Sequence, residues 1–104
     1  GVPGRGELCF EDDIWIVTER NPGISHMSIA GTLSCLKEAK VLEGAVAVID
    51  PINRKVCDKL KMNKISEVFD SYGVKYFLRK DSEEAVSIPA DAKVIIEFIK
   101  EGYQ

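Results

Sequence analysis

Ile14-Trp15-Ile16-Val17-Thr18-Glu19-Arg20-Asn21-Pro22-Gly23-Ile24-Ser25-His26-Met27-Ser28 holds an apolar run, a break and a helix start in immediate succession. Ile14 to Val17 are continuously apolar, which suits an internal strand covered on both faces. At Asn21-Pro22-Gly23 the chain must turn: Pro22 fixes its own φ, and Gly23 bends without a Cβ clash. Ser25 is a natural helix cap, and Ile29, Leu33 and Leu36 recur at i, i+4 and i+7, so a helix is expected over residues 25–40. Strand, tight turn and helix in that order predict an α/β protein.

On the N-terminal side, residues 7–10 are β-prone and Glu11-Asp12-Asp13 is a polar turn, so residues 7–18 read as a β-hairpin. Gly1-Val2-Pro3-Gly4-Arg5-Gly6 has no apolar periodicity and reads as a flexible arm or an added remnant, with residues 7–104 as one domain.

On the C-terminal side, Gly31 inside the first helix is expected to mark a close helix–sheet approach, and Gly44 ends the turn that follows. Residues 45–49 form a wholly apolar run and read as a fully buried strand. Asp50-Pro51 then has the form of a cap followed by Pro at the first helical position. Helix is expected over 52–72, broken near Met62-Asn63 and closed by Gly73. Residues 74–78 read as a strand and 81–84 as a solvated turn. A short edge strand at 85–88 stops at Pro89. Residues 91–100 are expected to be the last helix, with Val94, Ile95, Phe98 and Ile99 on one face. The resulting order, β-β-α-β-α-β-(β)-α, predicts a single small α/β domain: three helices on a mixed sheet of four or five strands.

The 104 residues suffice for one modest core, and 45% hydrophobic with 30% charged residues argues against disorder. No apolar run approaches the roughly 20 residues of a membrane helix, so no membrane association is expected. A net charge of −3 provides no general attraction to nucleic acid. Arg54, Lys55, Lys59, Lys61 and Lys64 do cluster, but no aromatic residues are interleaved, so a solvated helix face is the simpler account. Cys9, Cys35 and Cys57 are odd in number and have no C-x-x-C spacing. They read as reduced, mostly buried thiols of a cytoplasmic protein, without a disulfide and without a zinc site.

The loop after the first long strand is the place for chemistry. One reading is an anion nest: the first N–H groups of the helix lack partners, Thr18, Ser25 and Ser28 add hydroxyls, and Arg20 or His26 adds charge. Asn21, Gly23 and Asp50, the last at the end of the 45–49 strand, complete the candidate ligand-binding set. The plainer reading is a β–α turn closed by Pro-Gly with Ser25 capping the helix. His26, the sole histidine, would need an orienting carboxylate to act as a base, and Asp50 is the candidate.

Val17-Thr18-Glu19-Arg20-Asn21-Pro22-Gly23-Ile24-Ser25-His26-Met27 resembles the loop of fructose-type phosphotransferase IIB domains, roughly T-x-C-P-T-G-I-A-H-T. That loop also joins the first strand and first helix of a parallel α/β domain. The likeness covers about a tenth of the chain. Arg20 stands where that family carries its phosphorylated cysteine, so phosphoryl transfer by that chemistry is excluded. What the two share is the geometry of an anion nest, and the preceding hairpin departs from the family.

No P-loop, G-x-G-x-x-G, G-x-S-x-G or H-E-x-x-H occurs, and neither acidic cluster has calcium-loop spacing. The expectation is a binding module for a small anionic, phosphate-like ligand or a protein partner, with no cofactor and no metal. The alternatives are a small enzyme using the 21–28 loop with Asp50, and an RNA-associated domain using the 54–64 basic face.

Overall fold

Asp12 and Asp13 both adopt positive φ, 52° and 63°, and so close the first hairpin with a two-residue turn. Aspartate tolerates this left-handed region, and two such residues in succession give the twist that suits a tight hairpin. The turn joins β1 (Arg5–Glu11) to β2 (Ile14–Asn21), antiparallel, with Glu11 opposite Ile14. The computed structural model describes residues 5–21, 23–51, 60–79 and 88–100, and the side chains of these except at 5, 6 and 21. Beyond the hairpin lie α1 (His26–Glu38), β3 (Ala45–Asp50), α2 (Met62–Tyr72), β4 (Lys75–Leu78) and β5 (Val94–Lys100).

The strands form one five-stranded sheet in the order β1-β2-β5-β3-β4. β2, β5, β3 and β4 are parallel, and only β1 runs against them. The protein is thus α/β with a mixed sheet, as the alternation of apolar runs predicts. The connections from β2 to β3 and from β3 to β4 cross the sheet in the same direction. Right-handed crossovers then place α1 and α2 on one face. There Ile29, Leu33, Ile65 and Phe69 meet Ala47, Ile49, Ile96 and Phe98 in a single core. Phe69 anchors it, stacked on Tyr76 at 4.8 Å and edge-on to Phe98 at 6.2 Å. Gly73 ends α2 at φ 67°, a left-handed cap that glycine takes without Cβ strain.

Five expectations need correction. Residues 94–100, expected in a helix, form β5, the middle strand. The run Val94-Ile95-Ile96 is β-branched throughout, and Val94, Ile96 and Phe98 are buried on alternate positions, a period of two rather than a helical stripe. β2 is internal, yet it is not covered on both faces: Trp15 is exposed and Val17 only half-buried, because the core lies over β5 and β3. β1 begins at Arg5, two residues before the expected start. Gly31 marks no close approach, since a Cβ there would have nothing within 4 Å. Cys9 and Cys35 are free, as expected, but exposed rather than buried. Cys57, residues 52–59 of the helix expected over 52–72 and nearly all of the edge strand expected at 85–88 lie outside the described residues, while Leu60 and Lys61 are described and not helical, α2 beginning only at Met62.

Candidate functional site

The carboxyl ends of β2, β5, β3 and β4 open along one edge of the sheet, where open α/β folds bind ligands. α1 starts at this edge. Ser25, fully extended at φ −152°, caps it through a reciprocal capping box. The Ser28 backbone N–H donates to Ser25 Oγ at 3.4 Å, and the Ser25 N–H donates to Ser28 Oγ at 2.8 Å. Two N–H groups of the expected nest are therefore already satisfied within the chain. Those of His26 and Met27 have no partner among the described residues.

The strand alternation divides the remaining candidates between the two faces. Glu19 points toward α1, where its Oε1 accepts a 2.6 Å hydrogen bond from the Thr32 hydroxyl. Thr18 and Arg20, one residue to either side, therefore point to the opposite face, away from the α1 N-terminus. Asn21 is the last residue of β2, and Gly23 is exposed beside it. Asp50 also belongs to the opposite face, where its Oδ2 accepts from Arg79 Nη1 at 3.0 Å in an ion pair. Arg79 continues the ladder, its backbone N–H donating to Ile49 O at 2.9 Å. His26 and Asp50 are thus not brought together, and no described carboxylate orients the imidazole.

Sequence reasoning missed Glu19, Thr32, Arg79 and Lys100. Lys100, buried at the end of β5, donates from Nζ to Ile24 O at 2.9 Å and so ties the last strand to the turn before α1. Reading residues 94–100 as a helix hid this, because only a strand delivers residue 100 beside Asn21. Among the described residues, no three His, Cys, Asp or Glu side chains gather as a metal site, and no helix is long and apolar enough to cross a membrane. An open cleft of about 400 Å³ lies far from this edge, at the start of β4 between Phe69, Val74 and Tyr76.

A second feature lies on the hairpin. Leu8, Phe10 and Trp15 are 66%, 54% and 44% exposed. Their register, with Leu8 opposite Val17 and Phe10 opposite Trp15, puts them on the same face as the core, toward the free edge of the sheet. Phe10 and Trp15 pack together at 4.6 Å.

The chain matches no family model, and no curated protein or solved structure matches it.

Proposed function

We propose that this chain is a non-catalytic binding module that takes a protein partner on the open face of its β1–β2 hairpin. The observation that carries this reading is the exposed Leu8–Phe10–Trp15 cluster, continuous with the core and placed at a sheet edge. Contiguous exposed apolar and aromatic side chains are the usual mark of an interaction surface. Each such side chain contributes about 1.5–3 kcal/mol when fully buried by a partner. The exposed, free thiols of Cys9 and Cys35 fit a reducing, cytoplasmic setting. The test is a photo-crosslinking residue at position 8, with the same residue at exposed position 38 as control, in cells that make the protein. A discrete crosslinked species from position 8 alone supports the reading, and no species from position 8 overturns it.

A second reading, a small phosphate-like anion at the start of α1, is favoured by the N–H groups of His26 and Met27, which have no partner among the described residues. The capping box limits it to weak binding. Inorganic phosphate should shift the amide resonances of His26 and Met27 more than those of Ser25 and Ser28. Unshifted resonances at millimolar phosphate exclude it. The enzymatic alternative has no support from Asp50, whose carboxylate is held by Arg79. The RNA-associated alternative retains exposed Lys61 and Lys64, with the other three basic residues of its face outside the described residues.

A further inference from the structure

We infer that the partner of the hairpin is a second copy of this chain, with β1 pairing antiparallel to β1 about a twofold axis through Leu8. This rests on the partner-binding reading above and names the partner.

In a hairpin with a two-residue turn, the closing pair Glu11–Ile14 is hydrogen-bonded, and such pairs alternate along the strands. The Trp15 backbone N–H accordingly donates to Lys93 O at 2.9 Å, away from β1. Phe10, Leu8 and Gly6 therefore turn their N–H and C=O groups outward. β1 is an edge strand of the sheet, so among the described residues these groups have no ladder partner.

Natural edge strands are commonly protected by shortness, lysine or proline. β4, the other edge, has only four residues and begins with Lys75. β1 has seven residues and neither lysine nor proline, and it presents Leu8 and Phe10 to solvent. Of the edge protections its sequence retains only charge, at Arg5, Glu7 and Glu11, so pairing depends on a register that keeps like charges apart.

Charge then selects the register. Centring the axis on Leu8 places Leu8 opposite Leu8, Gly6 opposite Phe10, and Arg5 opposite Glu11 at both ends. Residues of opposite charge then occupy facing register positions twice, and an aromatic residue stands opposite a glycine twice. Centring it on Cys9 sets Glu7 against Glu11 twice, and centring it on Glu7 sets Glu7 against itself. The axis stands perpendicular to the sheet, so both Leu8–Phe10–Trp15 clusters fall on one side and merge into one apolar strip. The outcome is a ten-stranded sheet with no free β1 edge.

Sedimentation velocity across a range of protein concentrations tests this directly. The unmodified chain should associate to a dimer. Leu8→Lys puts two ammonium groups against each other on the axis and should leave a monomer. Glu11→Arg should weaken association about tenfold, and adding Arg5→Glu should restore it to within about threefold, since the pair is recreated with its signs exchanged. Val41→Lys, an exposed apolar site away from the hairpin, should change nothing. Amide spectra check that each variant is folded. A chain that stays monomeric at every concentration overturns the proposal, as does a dimer that survives Leu8→Lys or an Arg5→Glu/Glu11→Arg variant that does not recover. A monomer that nevertheless crosslinks at position 8 to a different protein overturns the self-pairing alone and leaves the partner-binding reading standing.

Discussion

The Thr32 hydroxyl and the Glu19 carboxylate, 2.6 Å apart, join the middle of α1 to β2. Glu19 is buried, so Thr32→Val removes a donor from a buried carboxylate and should destabilise the protein by about 1–3 kcal/mol in urea unfolding. An unchanged midpoint would mean that water replaces the hydroxyl at no cost. One residue earlier the sign reverses. Gly31 sits in mid-helix with open space where a Cβ would go. Gly31→Ala should therefore stabilise by about 0.5–1 kcal/mol, through the lower backbone entropy of alanine in the unfolded chain. At this scale the sequence is legible where a signal is local. Ser25 as a cap and Gly73 as a helix end can be recognised from their neighbours alone. The Glu19–Thr32 and Asp50–Arg79 contacts cannot, because each joins residues that only the packing of separate elements brings together.

Among the elements, β5 is the one that sequence periodicity misassigns. Val94, Ile95, Phe98 and Ile99 form a helical stripe as readily as they fill a strand, and short apolar runs of this kind do not discriminate. Ile96 separates the two assignments. In a helix it falls off the apolar face; in β5 it is fully buried between β2 and β3, opposite Val17 and Ala47. Ile96→Ala should thus cost about 2–5 kcal/mol, the range for deleting a fully buried aliphatic side chain. A cost below about 0.5 kcal/mol would favour the helix, since that is the usual size of a surface substitution. β3 and the hairpin were legible for a simple reason: wholly apolar residues 45–49 admit no helical stripe, and two adjacent aspartates between β-prone runs admit little but a turn.

At the scale of the whole molecule, strand order is what no local signal contains. β5 is last in the sequence and central in the sheet, so the chain must leave a gap between β2 and β3 and fill it at the end. That gap spans two strand spacings, roughly 9.5 Å, too wide for β2 and β3 to hydrogen-bond to each other. Without β5 the hairpin has no parallel neighbour, and Ala47, Ile49 and Phe69 lose Ile96 and Phe98 from the core they share. The Lys100 bond to Ile24 O, which fastens the turn before α1, goes with it. A chain ending at residue 87 should accordingly lack a cooperative thermal transition, although it keeps β1 to β4 and both described helices. Addition of a peptide spanning residues 88–104 should restore the transition, because the missing strand enters between neighbours that are both parallel to it. A truncated chain that melts cooperatively on its own would show that β2 and β3 close the sheet without β5, and the strand order described here would then not be what holds the core together.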